Sequence, residues 1–103
     1  MRYAWDRNKS RANRSKHGVS FEIATRVFDD PYALSVQDRV VDGEERWQTI
    51  GLIEGVLVLL VAHTVSGDEP AGGGEETIRI ISARKATSRE RKAYEQKRQG
   101  RTD

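Results

Sequence analysis

The sequence contains no cysteine and no long hydrophobic segment. The absence of cysteine excludes disulfide bonds, thiolate metal ligands and thiol nucleophiles from the 103 residues. The longest apolar run, residues 56–62, has seven residues, whereas a membrane-spanning helix needs roughly 20. No charged start is followed by an apolar stretch and a small-residue cleavage site, as a secretory signal requires. We therefore expect a cytoplasmic protein that does not associate with membranes.

Motifs for metals and for nucleotide phosphates are missing as well. The two histidines, His17 and His63, form no ligand set of recognisable spacing in a chain without cysteine. The glycines at 72–74 lack the lysine and the helix that follow a phosphate-binding loop. The sequence thus predicts no metal site and no cofactor.

Charge is distributed unevenly along the chain, although the formal net charge is only +2. Residues 1–26 hold seven basic and two acidic residues, residues 27–76 hold two and eleven, and residues 77–103 hold nine and three. The two ends are therefore basic and the middle is acidic. Basic clusters favour a polyanionic partner, most often a nucleic acid, although a solvated helix surface produces the same composition.

Residue patterns predict one α+β domain over residues 1–99, with residues 100–103 as a tail. The expected elements are an opening strand at 2–5, helices at 7–17 and 21–28, strands at 33–37, 46–53, 56–64 and 77–83, and a last helix ending near 99. We expect an antiparallel sheet of about four strands, with two N-terminal helices and one C-terminal helix packed mainly on one face. Residues 66–76, which are rich in glycine and acids, are predicted to form a flexible loop.

Capping residues fix most of these boundaries. Asp6 and Ser20 are typical helix N-caps, and Gly18 is a typical stop after a helix. Thr87 with Glu90 three residues later forms the pattern of a capping box. The run at 56–64 is so apolar that it predicts a central strand buried on both faces.

Several segments resemble the BrnT family of bacterial toxins. The similarity lies in Trp5-Asp6, the Lys16–Phe21 and Val27–Pro31 segments, Gly43–Trp47, Ala62–Thr64, and above all residues 78–87 with Glu90-Arg91 and Tyr94-Glu95. These blocks follow the order of the family and extend from about residue 3 to 95. The glycine-rich loop at 67–75 is longer than the family pattern, which bears on substrate choice.

The resemblance implies a RelE-like ribonuclease fold and the toxin half of a type II toxin–antitoxin pair that cuts RNA and arrests translation. It also implies a BrnA-type antitoxin with a dimeric ribbon-helix-helix element, and a heterotetramer that represses its own operon. Operator DNA would be bound only through the antitoxin. We expect the antitoxin to cover the cationic face of the toxin.

Metal-independent RNA cleavage by the 2′-hydroxyl needs proton-transfer groups and cations on the phosphate. We predict His63 as acid or base, since it ends the most apolar strand and titrates near neutrality. Arg46 and Arg79 could converge on a phosphate, and Arg84 precedes the capped last helix. Glu45 could be a base, but an ion pair with one of these arginines is the favoured interpretation.

We expect RNA to be bound by four further residues near helix ends: Lys16, His17, Lys85 and Arg89. For His17, a role in tying the first helix to the sheet is slightly favoured. Trp5 and Trp47 are expected in the core or at a partner interface. Two other classes of function stay open: a nucleic-acid-binding module without catalysis, which would bind without cleaving, and a protein-interaction scaffold, which would bind RNA poorly.

Overall fold

The computed structural model describes residues 1–67 and 75–100. The elements follow one another as β1 (Arg2–Ala4), α1 (Arg7–His17), α2 (Phe21–Ala24), a 3₁₀ helix (Thr25–Asp29), β2 (Leu34–Val41), β3 (Glu44–Ile53), β4 (Leu57–Ser66), β5 (Thr77–Lys85) and α3 (Ser88–Gly100). Most of the predicted loop, residues 68–74, and the last three residues of the predicted tail lie outside the described part. Gly100, expected in that tail, belongs to α3.

The strands form one five-stranded sheet in the order β1-β5-β4-β3-β2. All neighbours pair antiparallel except β1, which pairs parallel with β5. The prediction of about four strands was therefore one strand short. β4 is the central strand and is buried on both faces, as its apolar sequence predicted.

The helices divide between the two faces of the sheet, which corrects the expectation that they pack mainly on one. Phe21, Ala24 and Val27 pack on the first face against Leu59, Val61 and other core residues. Tyr94 of α3 packs on the second face with Ile50, Val58 and Leu60. Because β4 is apolar at odd and even positions alike, each face of it needs a cover.

Turn chemistry shapes both hairpins. Asp42, Gly43, Glu54 and Gly55 all have positive φ, between 50° and 80°, a conformation that glycine adopts without strain. Asp42-Gly43 is a two-residue loop between the paired residues Val41 and Glu44, and such loops require positive φ. A two-residue hairpin at Glu54-Gly55 was predicted; the hairpin is there, but its loop has three residues, because Ile53 pairs with Leu57 and Val56 belongs to the turn. The Asp42-Gly43 hairpin was missed, and it extends β2 and β3 beyond their predicted ends.

The caps of α1 agree with the sequence. Asp6 Oδ1 accepts hydrogen bonds from the backbone N–H groups of Asn8 and Lys9 at 2.7 and 3.2 Å, and Gly18 adopts the left-handed conformation at the other end. Asn13 docks the helix on the open edge of β5. Its amide nitrogen donates to the carbonyl oxygens of Ala83 and Val19 at 2.7 and 2.8 Å, and its side-chain oxygen accepts from the Ala83 N–H at 3.2 Å.

Candidate nucleic-acid interface

Three arginines occupy one row across the second face of the sheet. Arg39 of β2 lies directly opposite Arg46 of β3. On the other side of β3, Trp47 pairs with His63 of β4, so the next residue, Thr64, lies beside Arg46. Thr64 in turn lies directly opposite Arg79 of β5. Like charges placed opposite one another in a sheet are destabilising. Arg39 and Arg46 therefore repel each other, and their ion pairs with Asp38 at 3.8 Å and Glu44 at 3.6 Å offset part of this repulsion.

Arg46 and Arg79 share a surface hollow of about 140 Å³, which we call the cationic hollow. It is lined by Lys9, Glu44, Arg46, Arg79 and Ile81. Neighbouring strands lie about 4.8 Å apart, so the backbones of Arg46 and Arg79 are about 10 Å apart across β4. Two arginine side chains can span that gap to meet one phosphate. The predicted convergence of these two arginines is consistent with this arrangement.

The guanidinium of Arg46 is incompletely satisfied. Its Nε is buried and has no hydrogen-bond partner in the described part of the chain, and the nearest carboxylate oxygen, Oε1 of Glu44, lies 3.6 Å away. Buried N–H groups are normally paired, because an unpaired one loses its hydration without compensation. An anion seated in the hollow would supply the missing acceptor.

Glu44 and Glu45 lie on opposite faces of β3, because successive side chains of a strand alternate. Glu44 shares the hollow with Arg46, two residues along. Glu45 is exposed on the other face and forms no ion pair within residues 1–67 and 75–100. The expectation that Glu45 pairs with one of the arginines is therefore wrong, and Glu44 takes that position.

His63 lies on the first face, away from the hollow, with 3% of its surface exposed. Its Nε2 is 2.7 Å from Thr49 Oγ1, which is itself 2.7 Å from Ser35 Oγ, and its ring packs edge-on against Phe28. Burial lowers the pKa of His63, and the weak contact with the Thr64 carbonyl only partly opposes this. β4 also continues past His63 to Ser66, so His63 does not end the strand as expected. A role as acid or base stays a prediction, and the burial counts against it.

Arg84 lies on the same face as the hollow but is engaged in the capping box of α3. Its two terminal nitrogens donate to the carboxylate oxygens of Glu90 at 2.7 and 2.9 Å. Glu90 also accepts from the Thr87 N–H, and Thr87 Oγ1 accepts from the Glu90 N–H. These hydrogen bonds, that from Arg84 first, lower the pKa of Glu90 to about 2. Arg84 thus stabilises the start of α3, as bidentate pairs do.

The four predicted RNA-binding residues are spread over two regions. Lys16 lies two turns after Lys9 on the same side of α1, and His17 beside it is half-buried with no hydrogen bond among the described residues. Lys85 and Arg89 are exposed where β5 passes into α3. Lys16 therefore lies on the side of α1 that faces the hollow. Lys85 and Arg89 lie next to the Arg84–Glu90 pair.

Sequence reasoning missed Lys9, Glu44 and Arg39. Lys9 reaches the hollow only because Asn13 fixes α1 against β5. Arg39 shares the face of Arg46 because a bulge at Asp38 shifts the register of β2 by one residue, and a one-residue shift reverses the face of each side chain. Neither effect leaves a signal in the local sequence. Glu44 had one: its spacing of two from Arg46 puts both on one face.

Comparisons with known proteins identify the family and the fold of the chain. A sequence profile described as the ribonuclease toxin BrnT of type II toxin–antitoxin systems matches residues 5–90. The chain belongs to the BrnT family. No curated protein matches the chain. Among solved structures, the Brucella abortus ribonuclease toxin BrnT, determined at 1.1 Å resolution, superposes with a TM-score of 0.59. It is 24% identical, and the match covers 85% of this chain and 99% of that one.

Membership of the family agrees with the α+β fold and with the resemblance seen in the sequence. The cationic hollow and the row of arginines fall within the matched residues 5–90. No described helix is long and apolar enough to cross a membrane. In the described ranges, no group of three or more His, Asp or Glu side chains is arranged to hold a metal ion.

Proposed function

We propose that this BrnT-family chain is a RelE-like endoribonuclease toxin that cleaves RNA in the cytoplasm, without a metal, at the cationic hollow. The observation that carries the proposal is the buried Nε of Arg46, which has no hydrogen-bond partner in the described part of the chain and only a 3.6 Å ion pair with Glu44, in a hollow that also holds Lys9 and Arg79. Three cations around one carboxylate suit a phosphodiester whose negative charge grows during the reaction.

Cleavage would proceed by attack of the 2′-hydroxyl oxygen on the adjacent phosphorus. The bond from phosphorus to the 5′ oxygen breaks, and the products are a 2′,3′-cyclic phosphate and a 5′-hydroxyl. Arg46 and Arg79 hold the phosphate oxygens through their planar guanidinium forks. Glu44 accepts the proton of the 2′-hydroxyl, and the Lys9 ammonium gives one to the leaving oxygen. Together these groups supply base, acid and charge stabilisation.

The adjacent pair of glutamates provides a matched test. Purified toxin, free of antitoxin and with EDTA present, is incubated with a defined single-stranded RNA, and the 3′ ends of the products are analysed. Glu44→Gln is expected to lower the cleavage rate by about 10²-fold, a typical contribution of a general base. Glu45→Gln, one residue away on the opposite face, is expected to leave the rate within about twofold.

The opposite result, with loss at Glu45→Gln only, would refute the assignment of Glu44. His63→Ala is included because the sequence favours it as acid or base; its rate is compared only after a folding check, since the ring is buried. RNA binding without any cleavage by wild type, with or without added ribosomes, would favour a binding module instead. Cleavage that EDTA abolishes would refute metal independence.

The partner belongs to the same proposal. We propose that a BrnA-type antitoxin with a dimeric ribbon-helix-helix element covers the cationic hollow, that two toxins and two antitoxins form the complex, and that the complex represses the operon through the antitoxin. The support is the type II toxin family and the open position of the hollow. Hydrogen exchange of the complex is expected to protect β3 and β5 around Arg46 and Arg79. A complex that leaves this face as exchangeable as in the free toxin would contradict the proposal.

A further inference from the structure

A second cationic depression lies on the other side of α1 and is not used by the proposed reaction. This groove, of about 290 Å³, is lined by Trp5, Arg7, Arg11, Arg14 and Glu22 together with Ser10 and Ser20; we call it the Trp5 groove. The three arginines are spaced four and three residues apart, so they form one stripe along the helix. Lys9 points to the opposite flank, into the cationic hollow.

The arginines of the groove are exposed on the surface of α1. The side chains of Arg7, Arg11 and Arg14 make no ion pair and no hydrogen bond within residues 1–67 and 75–100, and α1 contains no acidic residue. Arg7 and Arg11 are instead like charges four residues apart, which destabilises a helix. The hydroxyl groups of the groove, by contrast, are engaged: Ser10 accepts from the Phe21 N–H, and Ser20 caps α2.

The Trp5 ring supplies the second element of a nucleic-acid site. It is half-buried, packing partly against the first core while its remaining surface borders the groove. Single-stranded nucleic acids are held by aromatic rings on which bases stack and by cations that follow the phosphates. An acidic protein segment could also pair with the arginines, and the test below therefore includes it as a competing outcome.

We propose that the Trp5 groove binds single-stranded RNA next to the cleaved bond, with a base on Trp5 and phosphates on the α1 arginines. The inference rests on the proposed ribonuclease function and extends its substrate contacts. α1 separates the groove from the cationic hollow, and a helix is about 10–12 Å across. At about 3.4 Å per stacked nucleotide, about three nucleotides cross that distance. The groove would therefore read flanking nucleotides rather than the scissile one.

The test measures binding without depending on cleavage. Full-length toxin is titrated with fluorescent 2′-O-methyl oligonucleotides, which lack the nucleophile, of three and of twelve nucleotides. The variant is R7Q/R11Q/R14Q, and the control is R91Q/K92Q/K97Q, which removes three charges from the exposed surface of α3. A second readout follows Trp5 fluorescence in a Trp47→Phe background, in which Trp5 is the remaining tryptophan.

We expect the groove variant to lose about tenfold or more in affinity for the twelve-mer relative to the control. Its slope of log affinity against log salt should fall by about 2, since each lost phosphate contact removes about 0.7. The trinucleotide should bind both variants alike, and the twelve-mer should quench Trp5. These outcomes would hold even if the toxin proved unable to cleave, so the two proposals fail separately.

Three results would overturn the inference. Equal losses in the groove variant and the α3 control would mean that only net charge matters. If a twelve-residue oligoglutamate peptide binds as tightly as the RNA, and the groove variant loses this binding, the groove is a site for an acidic protein segment. If the twelve-mer binds and the fluorescence of Trp5 stays unchanged, no base stacks on the Trp5 ring.

Discussion

Replacing Asn13 by Ala tests how α1 is held against the sheet. The amide of Asn13 makes three hydrogen bonds, two to Ala83 and one to the Val19 carbonyl, and it is 8% exposed. A hydrogen bond contributes about 1 kcal/mol net, so the substitution should cost about 3 kcal/mol. That loss is a large part of the roughly 5–15 kcal/mol by which small domains are stable.

The assay is urea unfolding monitored by circular dichroism, with Asn8→Ala as the matched control. Asn8 lies on the same helix but is exposed, and its side chain makes no hydrogen bond among the described residues. The control should stay within about 0.5 kcal/mol of wild type. Asn13→Asp should be less stable than Asn13→Ala at pH 7, because a carboxylate oxygen would face two carbonyl oxygens. A loss below about 1 kcal/mol in Asn13→Ala would refute this account of the edge of β5.

Three further predictions concern packing and pH. Gly51→Ala should cost about 1–3 kcal/mol in the same urea assay, because its Cβ would lie 2.8 Å from Val27 Cβ, whereas Gly67→Ala enters open space and should be neutral. Burial lowers the pKa of His63, so its contribution to stability is present above about pH 6.5 and is lost as pH falls through the lowered value. Urea midpoints of wild type should therefore drop between pH 7.5 and 5, and an equal drop in His63→Gln would contradict this. Arg84 is the main cause that lowers the pKa of Glu90 to about 2. The ionised Glu90 therefore stabilises the fold above about pH 4.5, and this stabilisation is lost as the pH falls toward 2. Glu90→Gln should flatten the thermal stability profile in that acid range; an unchanged profile would mean that the Arg84 pair adds nothing.

Local sequence determined much of the fold because its signals act over a few residues. Asp6, Gly18, Ser20 and the Thr87–Glu90 pair mark helix ends through hydrogen bonds within one turn. The unbroken apolar run of β4 likewise required cover on both faces. The family blocks, spread over nearly the whole chain, indicated the same protein family that the profile match shows.

The tertiary structure decided which charged residues meet. Glu44 rather than Glu45 enters the hollow, because the register of β3 sets which face each one takes. Arg39 joins Arg46 through a bulge, and Lys9 joins them through the docking of α1 by Asn13. His63, the most reactive residue type in the sequence, is buried against Phe28 and Thr49. These relations depend on strand register and on contacts between residues up to 70 positions apart, which no local pattern encodes.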